Sequence, residues 1–243
     1  MTYCVALRLD QGLLFMSDTR TNAGVDNIST FRKMFNWSVE GDRVITILTA
    51  GNLATTQAVV SLLNERSVIP ADRKQTLLAA PTMFQVARLV GDTLKEVIQS
   101  QAEAGQTAES TFGATMIVGG QIRGMEPRLF LVYPEGNFIE ASNETPFFQA
   151  GETKYGRPII LRAFDSAMSF EDAIKLLFVS FDSTLKANLA VGMPLDLHAY
   201  RIDTFETGIQ RRIPSDDPYF HAISSDWGNA LKEAIDKLPD FTF

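Results

Sequence analysis

The chain has 243 residues, 45% of them apolar and 21% charged, and its 22 basic against 29 acidic residues leave a net charge of −7. These are globular values, with length enough for a sizeable core and no signature of disorder. The acidic balance and the lack of a Lys/Arg stripe speak against nucleic-acid binding, which needs a basic footprint.

Two short apolar runs open the chain, Tyr3–Leu9 and Leu13–Met16, separated by Asp10-Gln11-Gly12. That spacing predicts a β-hairpin starting at the first residues. A second strand pair is expected at Lys33–Val39 and Val44–Thr49. A helix follows over Asn52–Arg66, with Asn52 as its cap. Thr82–Ala104 is the clearest helix, because Met83, Ala87, Val90, Leu94, Val97 and Ile98 recur at three and four residues on one face. Strand character returns at Thr111–Val118, Arg128–Tyr133 and Asn137–Glu140, and Gly119-Gly120 reads as a turn. Ser169-Phe170-Glu171-Asp172 resembles a capping box ahead of a helical stripe through Phe181. Leu195–Ile202 and Phe205–Ile213 read as closing strands and Trp227–Leu238 as a terminal helix, with Asp216-Asp217 a solvated turn or helix start.

Strands grouped in runs favour mainly antiparallel sheets over a parallel doubly wound one. No linker or repeat divides residues 1–243, so one domain of layered α and β is expected. Its two central helices would cover one face, and the helix after Ser169 the other.

Cys4 is the only cysteine, which excludes an intrachain disulfide, and with only His198 and His221 besides, no metal site is expected. His198, alternating with Leu197 and Ala199, reads as structural. Trp37 and Trp227 read as packing residues. No run approaches the roughly 18–20 apolar residues of a membrane span. Met1–Asp10 has no signal-peptide features, so a cytoplasmic protein is expected.

Thr2 follows Met1 directly. Removal of the methionine would expose a residue that carries nucleophile and base together, its hydroxyl attacking and its α-amine accepting the proton. An α-amine titrates at roughly 7.7–8.0, close enough to neutrality for that work. The hairpin folds Asp18 back toward Thr2. Lys33, next to Met34-Phe35, is placed to send an amine into a packed pocket, where Asp18 would hold it and its charge would disfavour protonation of the α-amine. Gly51, where a strand meets a helix, offers a backbone N–H suited to a developing oxyanion.

These segments resemble the proteasome β-subunit family, and most closely its bacterial Anbu (ancestral β-subunit) branch. The residues that carry the likeness are Thr2–Ala6, Ser17-Asp18-Thr19-Arg20-Thr21-Asn22-Ala23-Gly24, Phe31–Phe35, Thr49–Leu53 and Asn188–Leu197. The resemblance implies an α+β fold of four layers, an αββα sandwich of the N-terminal-nucleophile hydrolase class. It implies a homo-oligomeric ring or spiral that hydrolyses peptides or unfolded protein as a threonine-type peptidase, with no cofactor. With no nucleotide motif present, any ATPase or ligase-like partner would be a separate protein. Carried over, Thr2 would be nucleophile and base, Asp18 and Lys33 its charge partners, and Gly51 the oxyanion donor.

Two segments depart from the family pattern. The serine expected in a Gly-rich turn is absent from Gln149-Ala150-Gly151-Glu152-Thr153. Asp182 matches an expected aspartate, but Leu185 stands where a serine should follow, leaving Ser183-Thr184 as the substitute. These departures keep open a non-catalytic or weakly active ring; a small-amide hydrolase of the same superfamily is a separate rival, which the ring signature disfavours.

Overall fold

In the computed structural model, which describes residues 1–22, 28–68, 76–102 and 112–243, the chain opens with a hairpin of β1 (Tyr3–Leu9) and β2 (Gly12–Asp18). Along β1 the side chains alternate: Tyr3, Val5, Leu7 and Leu9 join one buried cluster, Cys4 and Ala6 another. β2 repeats this, with Leu14 and Met16 in the first cluster and Leu13 and Phe15 in the second. Strands apolar on both faces need a layer on each side.

The first sheet has the order β10-β1-β2-β11-β12, where β10 is Phe147–Gly151, β11 Leu195–Arg201 and β12 Ile209–Ile213. The second runs in chain order through β5 (Met34–Val39), β6 (Arg43–Gly51), β7 (Ala114–Ile122), β8 (Arg128–Val132) and β9 (Phe138–Glu140). Neighbours in both sheets are antiparallel, as are the short β3 (Arg20–Asn22) and β4 (Ile28–Thr30). Helices α1 (Leu53–Val68) and α2 (Met83–Ala102) cover the second sheet, packing Val59, Leu63, Val90 and Leu94 on Ile45 and Ile47. On the first sheet lie α3 (Arg157–Ala163), α4 (Phe170–Ala187) and α5 (Pro218–Asp236), which pack Ile160, Leu177, Phe181 and Phe220 on Val5 and Leu7. Cys4, Phe15, Leu48, Ile117 and Ala150 fill the space between the sheets. The layers run α-β-β-α, the architecture expected from the sequence.

Several boundaries differ from expectation, each for a local reason. Gly119-Gly120 is not a turn but lies inside β7, where the sheets and strands come too close for a side chain. A Cβ on Gly119 would stand 2.7 Å from the Phe15 ring, and one on Gly120 2.1 Å from the Val44 carbonyl. The terminal helix begins at Pro218, well before Trp227, because Asp217 caps it: its Oδ1 accepts the Phe220 N–H at 2.9 Å, and proline fits the first helical position. Asp217 is buried, not solvated, and pairs with Arg211 at 3.3 Å. β12 is shorter than Phe205–Ile213 because Asp203 and Phe205 take positive φ in the turn before it. β10 and α3 carry little pattern of their own, being five and seven residues long. Thr111, Ala23, Gly24 and the last residues of the expected Thr82–Ala104 helix lie outside the described residues. Among the described residues, no helix is long and apolar enough to cross a membrane.

Candidate active site

Thr2 leads directly into β1, a strand bonded on both edges, to β2 and to β10. Its carbonyl accepts the Glu152 N–H at 2.6 Å. The next residue is anchored more firmly still. The Tyr3 ring lies against Phe181, and its buried hydroxyl meets Ser180 Oγ at 2.7 Å and takes a hydrogen bond from Gln149 Nε2 at 2.6 Å. Burial pushes this phenol up, out of reach of ionisation, so it serves as a fixed pin.

Asp18 ends β2. The register Cys4↔Ser17 brings it opposite Tyr3, whose N–H donates to Asp18 Oδ1 at 3.0 Å. Lys33, just ahead of β5, donates to the same oxygen at 2.8 Å and to the Arg20 carbonyl at 2.5 Å. The Lys33 Nζ also reaches the Met1 carbonyl at 3.5 Å. Lys33 is 3% exposed and Asp18 fully buried, so each charge depends on the other. Burial is the largest influence on Asp18 and pushes its carboxyl up, while Lys33 and the N–H groups of Tyr3 and Gly192 pull it back down.

Gly51 closes β6 at φ +113°, and a Cβ there would stand 2.5 Å from the Gly113 carbonyl, so only glycine fits. Asn52 follows and caps α1, its Oδ1 accepting the Thr55 N–H at 3.1 Å. Gly51 therefore sits where a strand gives way to a helix N-terminus.

These positions share one opening. A pocket of ≈290 Å³ is lined by Met1, Thr2, Lys33, Thr49, Gly51 and Thr56, with Asp18 behind Lys33. A roomier hollow of ≈440 Å³ lies at the other end of β1, between Arg8 and Ser166. Its Arg8, Asp10 and Glu126 show no comparable buried constellation; chemistry, not size, singles out the smaller pocket.

Asp182 and Ser183 lie on α4, and their hydrogen bonds stay on that helix. Asp182 Oδ2 accepts Lys186 Nζ at 2.9 Å, and Ser183 Oγ donates to the Val179 carbonyl at 3.0 Å. Other residues do meet the Thr2 end of β1. Asn188 Nδ2 donates to Glu152 Oε2 at 3.0 Å and lies 3.8 Å from Met1 Sδ. Gly192 donates its N–H to Asp18 Oδ2 at 3.2 Å, and Arg20 Nη1 donates to the Leu189 carbonyl at 2.9 Å. The segments Gln149–Thr153 and Asn188–Leu197 stand out in the sequence, yet nothing in either says which polar group turns toward Thr2.

Comparison with known proteins identifies the family and the fold. Residues 2–193 match the family model described as "Proteasome subunit". Anbu (ancestral beta-subunit) from Yersinia bercovieri is 45% identical over 99% of this chain and 100% of its own, with a TM-score of 0.92. Anbu from Hyphomicrobium sp. strain MC1 is 49% identical over 99% of this chain and 100% of its own, at 0.90. A structure described as a helical assembly of the Anbu complex from Pseudomonas aeruginosa is 43% identical over 99% of this chain and 98% of its own, at 0.92. Among curated proteins, none matches.

Proposed function

The chain belongs to the proteasome subunit family, in its Anbu branch, and from that premise we propose that it is a threonine-type peptidase subunit whose nucleophile is Thr2 once Met1 has been removed. The observation that carries this reading is the convergence of Thr2, Lys33 and Gly51 on one pocket, with Lys33 buried against Asp18.

In the reaction, the Thr2 hydroxyl attacks the scissile carbonyl carbon and its proton passes to the freed α-amine. The oxyanion that forms is stabilised by the Gly51 N–H, held at the strand-to-helix turn. The C–N bond then breaks, the departing amine takes the proton from the α-ammonium, and an ester to Thr2 remains. Water attacks that ester with the α-amine again as base, releasing the acid and restoring the hydroxyl. Lys33 contributes a fixed positive charge beside the nucleophile, and Asp18 fixes Lys33.

We also propose that the subunits self-associate into a ring or spiral in the cytoplasm. Support comes from the helical assembly of the Pseudomonas aeruginosa relative and from apolar side chains left on α5 and beyond it. Leu231, Ile235, Leu238 and Phe241 are all exposed.

Mass spectrometry first establishes whether Met1 has been removed. The processed protein is then offered a panel of fluorogenic peptides and a covalent threonine-directed inhibitor. Cleavage, with label on Thr2, is the expected result. Intact assemblies that neither cleave nor label would instead identify a non-catalytic ring.

A further inference from the structure

Lys33 brings a positive charge to the pocket that Thr2 lines, while the β10 edge meets Thr2 through Glu152. Glu152 follows the last residue of β10, and its N–H holds the Thr2 carbonyl at 2.6 Å. No side chain can intervene at that junction, because a Cβ on Gly151 would stand 2.0 Å from the Thr2 carbonyl oxygen. The Glu152 carboxylate is in turn oriented by Asn188, whose amide donates to Oε2 at 3.0 Å. Asn188 is itself fixed, since its Oδ1 accepts the Ala190 N–H at 2.9 Å. The same amide nitrogen lies 3.8 Å from Met1 Sδ, so Asn188, with the Glu152 carboxylate bonded to it, borders the space that Met1 fills. Removing Met1 leaves a new cation, the Thr2 α-ammonium, beside that space.

We propose that Glu152 and Asn188 form a positioning pair for the Thr2 α-ammonium, with Glu152 supplying the counter-charge and Asn188 aiming it. The proposal rests on the peptidase reading, because it concerns the form freed of Met1. Other ionic groups described at this end have partners of their own. Asp18 is committed to Lys33, Arg20 reaches Leu189, and Asp182 bonds Lys186. Lys154 meets Glu152 through its backbone N–H, at 3.4 Å from Oε1. Lys33 repels the ammonium from one side, and Glu152 attracts it from the other. Their balance sets how much free base Thr2 presents.

The test is an NMR titration of the Thr2 α-amine in protein freed of Met1, which reads the amine whether or not any peptide is cleaved. Glu152→Gln keeps the backbone bond to Thr2 but removes the charge, so the amine should titrate about one pH unit lower than in wild type. Asn188→Asp adds a second carboxylate, so the amine should titrate higher. Opposite shifts support the pair. A Glu152→Gln midpoint unchanged from wild type, or shifts of the same sign in both variants, overturns it. A merely structural role would move neither midpoint. Loss of the peptidase reading would show separately, as absent cleavage and labelling with the titration shifts intact.

Discussion

Gly192, on the loop ahead of β11, donates its backbone N–H to Asp18 Oδ2 at 3.2 Å, while Arg20 lies across that same glycine. A Cβ on Gly192 would fall 2.0 Å from Arg20 Nε, so a side chain there would require the Arg20 guanidinium to move. The constellation is thus fixed from three directions: hairpin, β5 and this loop.

Gly192→Ala should therefore displace the Arg20 guanidinium and loosen its bond to Leu189, destabilising the fold by roughly 1–3 kcal/mol. Combining it with Arg20→Ala should recover part of that loss, because the clash partner is gone. Urea unfolding of the two single variants and the double variant measures the coupling.

Lys33→Ala strands the buried Asp18 carboxylate and should cost on the order of 3–5 kcal/mol. Adding Asp18→Asn, which removes the orphaned charge, should restore a substantial fraction. Equal losses in the single and double variants would show that the two charges do not depend on each other.

Thr2→Ala should abolish peptide cleavage and inhibitor labelling in protein freed of Met1. Assembly should survive, since the hydroxyl supplies chemistry and little packing. Light scattering and the fluorogenic assay, run on the same preparation, separate the two properties. Loss of assembly in this variant would count against the assignment of Thr2.

The pH dependence of stability should carry the imprint of His198. It is buried between the sheets, with Nε2 at 2.6 Å from the Thr207 carbonyl and Nδ1 at 2.8 Å from Thr46 Oγ1. Facing a carbonyl, Nε2 carries the proton, so the neutral ring accepts the Thr46 hydroxyl proton at Nδ1. Thr46 Oγ1 also lies 2.8 Å from Asn36 Oδ1. Burial pushes this imidazole down to about 4, from 6.5. Between those values the unfolded chain binds a proton that the folded chain refuses. Stability is present in full above the unfolded value and falls as pH drops toward 4, by up to about 3 kcal/mol. Urea midpoints from pH 7 to pH 4.5 should show this loss, and His198→Gln should flatten the slope.

Thr2, Asp18, Lys33 and Gly51 were legible in the sequence because each stands at a chain feature that sequence reports. Thr2 follows Met1, Asp18 ends an apolar run, Lys33 starts one, and Gly51 marks a junction. Glu152, Asn188 and Gly192 were not legible in the same way. Their chemistry comes from β10 pairing with β1, and from a loop returning to Asp18 across 174 residues. Gly119 and Gly120 misled for the opposite reason. Glycine signals a turn locally, yet here it answers to the Phe15 ring and the Val44 carbonyl, which lie far along the chain. Mainly antiparallel sheets were readable from strands grouped in runs and the four-layer order from the family resemblance, whereas the short β10 and α3 gain their place from partners.

The doubly bonded β1 also bears on how the protein should be handled. With Tyr3 onward locked between two neighbouring strands, anything joined ahead of Thr2 has one way out, through the opening that Met1 and Thr2 line. An affinity tag placed there would act as a stopper in the mouth of the site, its linker lying across Lys33. Purification handles belong at the opposite terminus, where they leave that opening clear.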